Sequence, residues 1–135
     1  TKHYNPKALY YHYRSLAKNN YHKYIELGNH ITHKKYLYTL RGICNALWVV
    51  QKQSVPPIVF TQTIEGLTDV IPGQVVDEVR HILAIKSQGR ERHQIDKIGV
   101  LDAYIDRVLS DDDPPAQRAE KAVELLDAEV RRLIL

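Results

Sequence analysis

One run, His33 to Trp48, gathers side chains able to do chemistry. Wound as a helix, it sets Lys34, Tyr38, Arg41, Asn45 and Trp48 in one stripe by steps of four, three, four and three, because positions three and four apart share a helix face. Leu37, Leu40, Cys44 and Leu47 form the apolar stripe beside it. A helix that buries one side and offers ammonium, phenol, guanidinium, amide and indole on the other can hold a phosphate and a flat ring.

The charge distribution supports that chemistry. The net charge of +3 divides unevenly: residues 1–53 carry seven Lys and two Arg against Glu26, giving +8, while residues 54–135 carry ten basic and fifteen acidic groups, giving −5. Eight of the nine tyrosines and five of the seven histidines also lie in the first part. Cations interleaved with aromatic rings suit a polyanion with stackable bases, whereas the same composition also suits a solvated basic surface over half-buried tyrosines. Both readings stand on composition alone.

Punctuation along the chain predicts the elements that position these groups. Asn5-Pro6 is an N-cap followed by proline at the first helical position, and the predicted first helix runs from Pro6 to Leu27 with Leu9, Tyr13, Leu16, Asn20, Tyr24 and Leu27 facing in. Thr32 caps a second helix that continues to Gln53, before Val55-Pro56-Pro57. Residues 58–69 read as loop with one helical turn over Gln62 to Leu67. Pro72 opens a third helix ending at Gly89, with Val75, Val76, Val79, Ile82 and Leu83 inward. The fourth follows the period of Ile95, Ile98, Leu101, Ile105, Val108 and Leu109, and Asp113-Pro114 starts a fifth. No segment reads as a sheet. The expected architecture is all-α, an antiparallel bundle of about five helices over residues 1–135, with a basic hairpin (5–53) and acidic helices (72–135).

Several function classes lack their signature. No glycine-rich phosphate loop, His-Glu-x-x-His, zinc-spaced cysteine pair or Gly-x-Ser-x-Gly is present, so an active site is not visible in the chain. Cys44 has no partner for a disulfide and reads as core in a reducing, cytoplasmic setting. Asp102 and Asp106 read as a solvated face, and Asp111 to Asp113 as a helix N-terminus. No stretch reaches the roughly 18 apolar residues of a membrane span.

Asn5-Pro6-Lys7-Ala8, His12-Tyr13, Ala17 to Tyr21, Lys34-Lys35-Tyr36-Leu37-Tyr38-x-Leu40-Arg41, Trp48 and Pro56-Pro57 together resemble the C-terminal part of predicted nucleotidyltransferases of the DNA polymerase β superfamily, the group with the YcgL-type and RNA-ligase-associated proteins. Gly89 to Arg92 and Ile98 to Ile105 resemble its closing helix. Gly42 departs from the family pattern, standing where proline is common, and Leu47 stands where a basic residue often precedes the tryptophan. The resemblance implies a helical lobe that contacts a nucleoside triphosphate beside an N-terminal palm holding Mg2+, and the palm motifs are absent from this sequence. It further implies Lys34, Lys35 and Arg41 as phosphate contacts, with Tyr38 and Trp48 as ring or ribose contacts. Asn45 belongs to the same stripe, and His12, Lys18 and Asn19 would join the same cleft. The expectation is therefore a nucleotide-binding piece of a longer enzyme, not catalytic by itself and binding no metal alone. A nonspecific RNA-binding module and a protein-interaction bundle are the alternatives.

Overall fold

Capping chemistry sets where each helix begins. In the computed structural model, which describes residues 5–110, the Asn5 side chain accepts the Ala8 N–H at 3.0 Å and Pro6 opens α1 (Pro6–Tyr21). The chain continues into a π turn, His22–Glu26, so the expected helix to Leu27 is continuous but widens in its last turn. Thr32 caps α2 (His33–Lys52) by accepting the Lys35 N–H at 3.2 Å, and Gln53 closes it in the left-handed conformation, φ 55°. The short α3 (Phe60–Glu65) begins two residues before the predicted turn. Then follow α4 (Gly73–Ser87), with Pro72 at its N-cap, and α5 (Gly99–Val108). Among the described residues every regular element is helical, and none of these helices is long and apolar enough to cross a membrane. The predicted fifth helix from Asp113-Pro114 lies outside the described residues.

The central element is α2, which packs against α1, α3, α4 and α5. Its Tyr36, Leu40, Ile43 and Val49 are buried, each contributing roughly 1.5–3 kcal/mol by leaving water. Cys44 lies in the same core, as expected, and burial pushes its thiol up to about 12, which makes it a poor nucleophile at neutral pH.

Two predicted faces need correction. The buried side of α1 is Tyr10, Ala17 and Tyr21, continued by Ile25, whereas Leu16 is 43% and Leu27 71% exposed. The helix has turned by about one residue from the leucine stripe, because the side facing α2 must carry a small residue at the crossing. There, a Cβ on Gly42 would stand 2.9 Å from the Ala17 Cβ and 3.0 Å from the Tyr13 carbonyl oxygen. The two backbones approach too closely for anything larger, and α2 runs unbroken through Gly42.

The start of α5 is the second correction. Ile95 and Ile98 precede the helix instead of forming its first turns. After α4, Gly89 adopts φ 74° and turns the chain back toward the beginning of α2. The returning segment runs against the entry to α2: the Lys34 N–H donates to the Glu91 carbonyl at 2.9 Å, the Ile95 N–H donates to the Ile31 carbonyl at 2.8 Å, and Thr32 and Gln94 form an isolated antiparallel bridge. These pairings satisfy backbone groups that an earlier helix start would have spent on itself.

The Tyr36 hydroxyl completes the attachment. It accepts the Ile98 N–H at 2.9 Å and donates to the Asp102 carboxylate at 3.0 Å, while Tyr21 of α1 donates to the same oxygen at 3.3 Å. Asp102 is thus a half-buried acceptor shared by α1 and α2, not part of a solvated face. Burial first, then the Asp102 charge and hydrogen bond, raise the Tyr36 hydroxyl well above the ordinary tyrosine range against the lowering effect of the Ile98 N–H.

Substituting Gly42→Ala gains helix propensity but forces the α1–α2 crossing apart, and a net loss of about 1–3 kcal/mol in urea unfolding is expected. Tyr36→Phe leaves the Ile98 N–H without its acceptor, and the same measurement should show a loss of about 1–3 kcal/mol.

Candidate functional site

Along the outer side of α2 lies a cleft of about 620 Å³, walled by α2, α3, the end of α4 and the segment returning to α2. Its apolar lining includes Leu37, Val59, Phe60 and Leu83. Four cations stand around it: Lys34 and Arg41 from α2, Lys86 from the last turn of α4, and Arg92 from the returning segment. Glu91 is the one acid in the lining, so four positive groups less one negative group leave +3.

Among the described residues none of these four cations stands in an ion pair, whereas Arg80, also on α4, makes a bidentate contact with Glu65 at 2.7 and 2.9 Å. That pairing lowers the Glu65 carboxyl and raises the Arg80 guanidinium. Arg41 instead lies 5.6 Å from the Phe60 ring centroid, and Lys34 lies 5.7 Å from that of Tyr38. A ring orients a cation while leaving its N–H donors open to an anion.

An anion placed here would meet side chains rather than the start of α2. The first N–H groups of α2 are already engaged: Lys34 by Glu91, Lys35 by Thr32 Oγ1, and Tyr36 by the Thr32 carbonyl at 3.3 Å. The helix end is therefore not an open anion nest. Two lysines in that first turn also oppose the helix dipole, with no acid there to offset them.

Of the nine residues singled out from sequence, the cleft brings together Lys34, Tyr38 and Arg41. Tyr38 keeps 43% of its surface exposed and offers a ring face. Lys35 sits beside the cleft, its ammonium donating to the His30 carbonyl at 2.6 Å. Trp48 continues the stripe in register but packs over Gly66, where a Cβ would collide with its ring, and its indole N–H donates to Ser54 Oγ at 3.0 Å. Asn45 is half-buried and outside the lining. Lys18 and Asn19 border a separate depression of about 350 Å³ with His22, Glu26 and Asp106. His12 is exposed on α1, its ring 5.4 Å from that of Tyr13.

Sequence reasoning missed Lys86 and Arg92 as site residues. Lys86 in the last turn of α4 reads as an ordinary complement to the helix dipole, and Arg92 reaches the cleft only because the chain turns back at Gly89. Their separation from Arg41 along the chain leaves no spacing signal. No group of three or more His, Cys, Asp or Glu among the described residues is placed to hold a metal ion.

Among the described residues, fold and cleft together define an all-helical domain with a ring-backed cationic cleft whose four cations stand in no ion pair. The chain belongs to the RlaP family, the RNA repair pathway DNA polymerase beta family, whose match extends over residues 1–135. It is similar to the uncharacterized protein YcgL of Bacillus subtilis (strain 168), at 27% identity over all 135 residues of this chain and 51% of YcgL. The chain thus spans about half the length of that relative. No solved structure matches it.

At the base of α2, His33 carries a buried Nδ1 without a hydrogen-bond partner, its ring edge-on to His81 of α4 at 6.2 Å. Desolvation first, then His81 and Arg90, lower its pKa from 6.5, while Glu78 opposes them. The unfolded chain therefore binds the proton more readily than the folded one, so the stability His33 contributes is present above about pH 6.5 and is lost as pH falls below it. Thermal melts of the protein and of His33→Gln should diverge across that window, the unsubstituted protein losing more on acidification.

Proposed function

We propose that the cleft binds the triphosphate of a nucleoside triphosphate, and that this chain is the substrate-holding helical lobe of a nucleotidyltransferase. The convergence of Lys34, Arg41, Lys86 and Arg92 on one cleft without ion-pair partners among the described residues is the observation that carries the reading. A triphosphate supplies the negative charge this arrangement lacks. Arg41 and Arg92 offer planar forks for two phosphate oxygens each, while Lys34 and Lys86 act as adjustable point charges.

Tyr38 and the apolar wall supply the second half of the recognition. A base or ribose laid on the exposed Tyr38 ring meets Leu37, Val59 and Leu83 on its other edges. Stacking contributes without reading base identity, so the lobe by itself discriminates weakly among nucleobases. Family membership supports the transferase chemistry, since the family is described as DNA polymerase beta in an RNA repair pathway. By the family resemblance, Mg2+ and the reacting carboxylates would belong to a palm lobe, and no group of three or more His, Cys, Asp or Glu among the described residues is placed to hold a metal. The role proposed here is to bind and orient the triphosphate.

The test is equilibrium binding of each common nucleoside triphosphate, followed by fluorescence of a labelled analogue. Arg41→Ala and Lys86→Ala should each weaken binding by about 10- to 100-fold, as expected for a charge-assisted hydrogen bond. Trp48→Phe, which trims the ring over Gly66 and drops the bond to Ser54, both outside the cleft lining, should leave the affinity within about twofold. Equal losses in a control variant of Arg80, which is paired with Glu65 outside the cleft, would remove the assignment.

A further inference from the structure

Beside the cleft, cations and rings alternate along a second surface. The Lys23 ammonium lies 5.2 Å from the Tyr24 ring centroid, and Lys35 approaches the same ring at 5.7 Å. The Tyr24 ring is 6.5 Å from that of Tyr38, which Lys34 covers at 5.7 Å. These contacts join the π turn after α1 to the first turns of α2. Tyr24, Lys35, Lys34 and Tyr38 line a shallow groove of about 300 Å³ with His30, Thr32 and Arg92; Lys34, Tyr38 and Arg92 also line the larger cleft, and Lys23 stands outside the lining, over the Tyr24 ring.

Three features give this groove a chemistry. Among the described residues Lys23, Lys34 and Lys35 stand in no ion pair; Glu26 of the π turn is turned to His22, at 3.2 Å. The rings of Tyr24 and Tyr38 are only partly covered, although each could have been packed inward as Tyr21 and Tyr36 are. Within the π turn Tyr24 faces the groove while Tyr21 before it and Ile25 after it face the core, and such single turns are frequent at functional sites.

We propose that this groove holds a single-stranded nucleic-acid end, with its last base against Tyr24, beside the Tyr38 ring that the nucleotide occupies, and the backbone along Lys23, Lys35 and Lys34. Exposed rings between lysines match a strand whose bases are unstacked, because each base presents a flat face and each linkage a charge. A duplex keeps its base faces covered, and an acidic peptide supplies charge without rings. The shared edge at Lys34, Tyr38 and Arg92 makes the groove open into the cleft, so the strand end arrives where the triphosphate lies. The inference rests on the proposed function for its direction, acceptor strand toward nucleotide, and on the groove's own residues for its chemistry.

Fluorescence anisotropy of the full chain with a labelled oligouridylate and with oligothymidylate tests it. Three lysine contacts predict a slope of about −2 in log affinity against log salt, and Lys23→Gln should flatten it by about 0.7. Tyr24→Ala should weaken the oligonucleotide about tenfold or more while nucleoside triphosphate binding stays within about twofold. Tyr24→Phe should retain the oligonucleotide, which separates the ring face from loss of fold. Both oligonucleotides binding alike supports recognition of backbone and rings, and a preference for oligouridylate supports the same groove with the 2′-hydroxyl read in addition. Unchanged oligonucleotide affinity in Tyr24→Ala combined with Lys23→Gln would overturn the proposal. So would polyglutamate displacing the oligonucleotide at equal charge concentration. If oligonucleotide binding follows these variants while no nucleoside triphosphate binds, the groove stands and the triphosphate reading fails.

Discussion

A buried phenol has to place its hydroxyl, and the way Tyr36 does so organises the molecule. With its side chain fully covered, the oxygen has no water to turn to, and an unmet donor or acceptor there would cost about 1–3 kcal/mol. It meets the Ile98 N–H and the Asp102 carboxylate, which ties the first turn of α2 to the start of α5. The Lys34–Glu91 and Ile95–Ile31 backbone bonds then hold the connecting segment against the entry to α2. Arg92 stands at the cleft because of those attachments, so one wall of the site depends on a hydrogen-bond network in the core.

The α1–α2 crossing imposes the complementary constraint. Gly42 against Ala17 and the Tyr13 carbonyl brings two backbones together and fixes the rotation of α1 about its own axis. That rotation sends Tyr21 inward to Asp102 and leaves Leu16 outside. Past Tyr21 the inward face continues to Ile25 within the π turn, and Tyr24 next to it faces Tyr38 and Lys35. Close packing at one end of the hairpin therefore determines which aromatic ring is presented at the other.

Local signals in the chain were a good guide to these helices and a poor one to their faces. The caps at Asn5 and Thr32, the prolines at 6 and 72 and the turn at Gly89 all act on their immediate neighbours, and each marks a boundary within a residue or two. The inner side of α1 was misread because leucines outweigh one alanine in a hydrophobic count, while the crossing selects by size. Ile95 and Ile98 kept a helical period but lost the helix to pairing with residues far away in sequence. At the site, the stripe on α2 was legible as a stripe, and three of its five members reach the cleft. Lys86 and Arg92 join them through tertiary structure, for which neither spacing nor composition carries a sign.

The division of charge along the chain also takes a different meaning once folded. A basic first half and an acidic second half suggest separate tasks, yet two of the four cleft cations come from the acidic half. Among the described residues its acids, Glu91 apart, lie outside the cleft lining, and two are already engaged: Glu65 by Arg80, and Asp102 by two tyrosines. What the fold builds is a local excess of positive charge inside a nearly balanced chain, and like charges gathered around one cleft repel and oppose compaction. Pairing one of those cations with a carboxylate, as Arg80 is paired, would relieve the strain at little structural cost. Arg41 and Lys34 are backed by rings instead, a choice that keeps their charge available. An anion entering the cleft would relieve that repulsion, so the same feature that works against the folded domain would favour the proposed ligand.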